Sequence, residues 1–105
     1  MIYMSPREVR ELVNTESEFK ILDIRENYEH AQCSLSCMHI PMAEIENNID
    51  NLKKINKIAI ICRSGKRAEA VANWLEKEHN LENLIVIEGG MLSWKQQIEP
   101  SLDIE

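Results

Sequence analysis

At 105 residues the chain is long enough for one sheet covered by helices and too short for two separate cores. Its 44% hydrophobic and 29% charged residues are those of an ordinary globular domain, and 5% aromatic content leaves the core mainly aliphatic. A net charge of −6 argues against nucleic acid as a partner, because phosphate binding needs a basic face. No apolar run approaches bilayer-spanning length, and the first six residues lack the basic and apolar regions of a signal peptide. Three cysteines are an odd number without disulfide-framework spacing, so a reducing cytoplasm with no membrane contact is expected.

Met1 to Met4 reads as a short first strand. Ser5-Pro6-Arg7-Glu8 opens a helix, with Ser5 as N-cap, Pro6 at the first helical position and Glu8 closing a capping box; Val9, Leu12 and Val13 give it one apolar face. Lys20 to Arg25 reads as a second strand ending in the charged pair Asp23 and Arg25, followed by a helical turn over 26–31. Within 30–39, His30, Cys33, Cys37 and His39 have a spacing that matches no common zinc finger. No metal is expected, and Cys33 and Cys37 read as ordinary half-buried residues; a resolving thiol is the sharper alternative. Ala43 to Leu52 is predicted as an amphipathic helix, with Ile45, Ile49 and Leu52 at helical spacing.

Ile58-Ala59-Ile60-Ile61 has the continuous apolar character of a strand buried on both faces. Cys62 stands where that strand ends, and Arg63, Ser64, Gly65, Lys66 and Arg67 turn the chain into a helix that packs Ala68, Val71, Ala72 and Leu75. A thiol at the carboxyl end of a central strand, just before a helix N-terminus, sits where open α/β sheets take ligands. The helix amides, the macrodipole and three nearby cations all favour a thiolate, hence a nucleophile. Leu84 to Ile87 is another apolar strand, Gly89-Gly90 breaks it, and Met91 to Ile98 should form a last helix with Trp94 inside. Residues 1–100 are expected to be one domain and 101–105 a flexible tail. Strands alternating with helices imply a mainly parallel sheet.

Three segments resemble the rhodanese-type sulfurtransferases. Cys62-Arg63-Ser64-Gly65-Lys66-Arg67 is similar to the family's reactive loop, Leu22-Asp23-Ile24-Arg25 to its Asp-x-Arg strand end, and Ile87 to Trp94 to its Gly-Gly-x-x-x-Trp segment. The resemblance implies an α/β sandwich, a five-stranded, mainly parallel sheet with helices on both faces. It also implies sulfur transfer through a persulfide on Cys62, needing no cofactor. The donor would be a small sulfur anion such as thiosulfate, and the acceptor a thiol, cyanide or a sulfur-carrier protein. Gly65 would permit the tight turn, Arg67 or Arg63 would dock the donor's sulfonate, and Asp23 and Arg25 would support the loop. Two alternatives stand beside this reading. A cysteine phosphatase would share the thiolate and amide-lined loop, but here Ile61 precedes the cysteine and Ala68, with no arginine, is the sixth residue after it. A non-catalytic module of the same fold would have little use for an intact Cys62 and its cations.

Overall fold

Period-two alternation inside two apolar strands decides how this chain is layered. A computed structural model describes residues 1–104. Five strands, β1 (Ile2–Met4), β2 (Phe19–Asp23), β3 (Met38–His39), β4 (Lys57–Ile61) and β5 (Leu84–Ile87), form one sheet in the order β1-β5-β4-β2-β3. Each neighbouring pair is parallel, with Ile58 opposite Leu84 and Ile60 opposite Leu22 and Val86. Parallel strands need crossovers, and the helices supply them: α1 (Pro6–Thr15), α2 (Asn27–Gln32), α3 (Ile49–Leu52), α4 (Lys66–His79) and α5 (Gly90–Gln97).

Because successive side chains point to opposite faces, Ile58 and Ile60 of β4 join one core while Ala59 and Ile61 join the other. The first core packs Leu22, Leu84 and Val86 against Ala68, Val71, Ala72 and Leu75 of α4 and against Ile49 and Leu52 of α3. The second packs Phe19, Ile21, Ile85 and Ile87 against Val9 of α1 and Met91 and Trp94 of α5. Fully burying each such aliphatic side chain stabilises the fold by about 1.5–3 kcal/mol. Cys62 continues the even-numbered series of β4, so its side chain lies on the α4 face.

The helix starting at Ser5 has the expected cap: Ser5 Oγ accepts from Glu8 N–H and the Glu8 carboxylate accepts from Ser5 N–H. The expected helix over 43–52 is different. Met42–Asn48 is a 3-10 helix, and the α-helical turn is confined to α3. Asn47 and Asn48 are weak helix formers, and Asn48 leaves helical geometry (φ −118°, ψ 13°) while its side chain donates to the Glu44 carbonyl. Ile45, Ile49 and Leu52 are buried all the same, so the apolar spacing placed the face correctly and missed the winding. Beyond Pro100, Leu102 and Ile104 pack half-buried on the second core; the expected flexible tail also takes in Glu105, which lies outside the described residues. Among the described residues no helix is long and apolar enough to cross a membrane.

Candidate active site

The carboxyl edge of β4 and β2 brings Cys62, its turn, and Asp23 and Arg25 to one end of the sheet. Cys62 is wholly buried, but its sulfur does not face hydrocarbon alone. Gly65 N–H donates to Sγ at 3.1 Å and Ala68 N–H, in the first turn of α4, donates at 3.4 Å. Gly65 holds φ at +103°, a conformation open to a residue without Cβ, and this turns the following chain into α4. Arg63, Ser64 and Lys66 are exposed on the rim, whereas Arg67 is half-buried.

The turn is held from beneath by α5. The N-terminal amides of a helix have no partner within it. Here Met91 N–H donates to the Cys62 carbonyl at 2.8 Å and Leu92 N–H to the Arg63 carbonyl at 3.1 Å. Anchoring those two carbonyls fixes the peptide planes that begin the turn. The approach is possible because residue 90 is glycine: a Cβ there would lie 2.2 Å from the Cys62 carbonyl oxygen and 2.7 Å from Arg63 backbone atoms, at φ +59°. Backbone cannot move aside as a side-chain tip can. Gly90→Ala is therefore expected to cost about 2 kcal/mol or more in denaturant unfolding.

Asp23 and Arg25 are buried, at 1% and 3% exposure, so the sequence's picture of two charges at the end of a strand needs its partners added. Asp23 Oδ1 accepts from Arg25 N–H (2.9 Å) and Nε (3.0 Å); Oδ2 accepts from Arg25 Nη2 (2.8 Å) and His30 Nδ1 (2.9 Å). Arg25 reaches on to the carbonyls of Cys33 at 2.6 Å and Glu29 at 3.5 Å. His39 Nε2 donates to the Arg25 carbonyl, and its ring stacks on His30 with centroids 3.9 Å apart. Burial pushes the Asp23 carboxyl up, but the hydrogen bonds from Arg25 and His30 outweigh it and hold the group below the usual aspartate range. The network ties α2 and β3 to the end of β2.

Glu29, on α2, was not singled out from the sequence. Its carboxylate grips Arg67 in a two-pronged pair, Oε1 to Nη1 at 2.7 Å and Oε2 to Nη2 at 2.9 Å, and Oε1 also accepts from Glu26 N–H at 3.0 Å. The Arg67 hydrogen bonds hold Glu29 below the ordinary glutamate range, and the same bonds raise Arg67. Arg25, Tyr28, Glu29, Gln32, Arg63 and Ile104 line a cavity of about 220 Å3 beside the turn. Cys33 and Cys37 are half-buried and free; burial, with the Asp23 charge adding to it, pushes the Cys37 thiol up to about 11. Among the described residues no group of three or more His, Cys, Asp or Glu is arranged to hold a metal ion.

A cysteine cradled by amides at the end of a parallel α/β sheet defines a class, and comparison with known proteins names it. The sequence profile of the rhodanese-like domain matches residues 5–97, and the chain belongs to that family. It is 29% identical over 98 residues to YtwF of Bacillus subtilis, provisionally named a sulfurtransferase, covering 92% of this chain and 93% of that one. It is 31% identical over 91 residues to YrkF of the same organism, provisionally named a sulfur carrier protein; the match takes in 86% of this chain and 49% of YrkF. The crystal structure of a rhodanese-related protein from Thermoplasma volcanium superposes with a TM-score of 0.81 at 26% identity, over 100% of both chains. The five-stranded α/β sandwich expected from the sequence is the one observed.

Proposed function

We propose that the protein is a sulfurtransferase that carries a sulfane sulfur as a persulfide on Cys62, with thiosulfate or a related anion as donor. The single observation that carries this reading is the pair of amide donors, Gly65 and Ala68, on the Cys62 sulfur. Such donors stabilise negative charge on sulfur as an oxyanion hole does on oxygen, and they favour both the attacking thiolate and the persulfide that follows. In the first step the thiolate attacks the outer sulfur of thiosulfate. The Sγ–S bond forms, the S–S bond to the sulfonate breaks, and its electron pair leaves with sulfite. In the second step an acceptor takes the terminal sulfur and Cys62 returns as thiolate; with cyanide the product is thiocyanate. Splitting the transfer through a covalent carrier replaces one difficult step by two easier ones.

The loop residues have separate parts in this reading. Gly65 gives the turn its shape, Arg67 supplies fixed positive charge beside the sulfur, and Arg63, Ser64 and Lys66 form the rim that meets donor and acceptor. Asp23 and Arg25 support the turn through α2. The acceptor class is a thiol, cyanide or a sulfur-carrier protein; the name borne by YrkF supports the last of these. Incubation with thiosulfate followed by intact mass tests the proposal. The expected result is a gain of one sulfur that cyanide removes. No gain from thiosulfate or from a singly charged thiosulfonate, with or without turnover of an aryl phosphate, overturns it.

A further inference from the structure

Of the two cations that the sequence offers as docks for the donor's sulfonate, Arg67 already holds a carboxylate. Glu29 meets both terminal nitrogens of Arg67 in the geometry a sulfonate would use. Glu29 is 14% exposed and Arg67 33%, so solvent screens the pair only in part. Its position is fixed from its own side as well, by the Glu26 amide that closes the capping box of α2. Glu29 also lines the cavity beside the turn, together with Arg63. A second carboxylate is near, but Asp23 is 1% exposed and spent on Arg25 and His30. Among the described residues that line this cavity Glu29 is the carboxylate, and it is the one paired with Arg67.

We infer that Glu29 sets the charge of the sulfur donor, holding the site toward singly charged sulfane donors and against the doubly charged thiosulfate. The inference rests on the sulfurtransferase reading and deepens it. A dianion is drawn to Arg67 and repelled by Glu29 from nearly the same place, and the repulsion grows with each charge the donor carries. A monoanion with the same reactive sulfur feels half of it. The carboxylate also keeps Arg67 from closing on sulfite, which eases release of that leaving group. Selectivity is thereby exchanged against affinity, as when a built-in like charge rejects one ligand more than another.

The test compares thiosulfate with methanethiosulfonate, in which a methyl group replaces one charged oxygen. Both donate their outer sulfur to Cys62 by the same displacement, and the electron pair leaves with sulfite or with methanesulfinate. The readout is the ratio of kcat/KM for the two donors, with cyanide as acceptor. Any change in the nucleophilicity of Cys62 affects both donors alike and cancels in this ratio. In Glu29→Gln the ratio of thiosulfate to methanethiosulfonate should rise about tenfold, the effect of one like charge at a partly screened site. A ratio within twofold of the wild type overturns the inference, as does a fall. Glu29→Ser is the second variant, neutral and too short to reach Arg67; it should move the ratio in the same direction. If both variants fail to fold, Glu29 belongs to the fold and the inference is overturned. Sulfur loading of the wild type is read first. Loading with an unmoved ratio sinks this inference alone, whereas no loading by either donor sinks the sulfurtransferase reading with it.

Discussion

Cys62→Ser is expected to lose sulfur transfer by about 10³-fold or more, the scale on which losing a nucleophile outright is felt. Oxygen at this position meets the same two amides, from Gly65 and Ala68, so the charge cradle survives the substitution. What goes is the chemistry: a hydroxyl is far less ionised than a thiol and cannot carry a sulfur as a persulfide. The two imidazoles near the end of β2, His30 and His39, are committed to Asp23 and the Arg25 carbonyl. The fold should remain, because Oγ can accept from both amides that Sγ now occupies. Stability is expected to stay within about 1 kcal/mol of wild type, a shift in melting temperature of a few degrees. Cys33→Ser and Cys37→Ser should still gain one sulfur, since Cys37 is held as a thiol at neutral pH by its burial. A Cys62→Ser protein that still gains sulfur by intact mass would move the carrier to another residue.

Much of this was legible in the chain because the governing signals are local. Ile58 to Ile61 and Leu84 to Ile87 are unbroken apolar runs, the mark of strands buried on both faces, and they lie inside the sheet with α4 on one face and α5 on the other. The first helix carries its own start signal in Ser5, Pro6 and Glu8. Cys62 and Gly65 are neighbours in sequence, so their relation could be read before any contact was known. The parts that were not legible depend on residues far apart. Glu29 and Arg67 are 38 positions apart, and nothing around Glu29 distinguishes it from an ordinary charge in a helical turn. Gly90 looked like a strand breaker, but its purpose lies in the Cys62 carbonyl, against which a Cβ would not fit. The winding of 42–48 was missed for another reason: 3-10 and α-helices share much of their apolar spacing, and the weak helix propensity of Asn47 and Asn48 was outvoted by that pattern.

Asp23→Asn is expected to be the most destabilising single change near the site, at about 3–5 kcal/mol. Both carboxylate oxygens act only as acceptors, from the Arg25 amide and guanidinium and from His30. An amide must place its NH2 against one of those donors, and Arg25, 3% exposed, would keep its charge without a counter-charge. Such a loss is a large fraction of the roughly 5–15 kcal/mol that holds a domain of this size together. It should appear as a fall of about 15 °C or more in melting temperature. Replacing the pair together, as Asp23→Leu with Arg25→Met, should cost less than Asp23→Asn alone, because no buried charge is then left over. The pH dependence follows from the same contacts. The folded chain holds the Asp23 carboxyl below its usual value, while the unfolded chain titrates near about 3.9. Between those two values the unfolded state binds more protons, so the contribution of Asp23 is complete above the unfolded value and is lost as pH falls through the folded one. Wild-type stability should therefore drop steeply below about pH 4, with Glu29 adding in the same sense from its unfolded value near about 4.3. In Asp23→Asn the drop should be shallower. Melting curves taken every half unit from neutrality into acid would separate the two, and parallel curves would show that Asp23 contributes no charge-dependent stability.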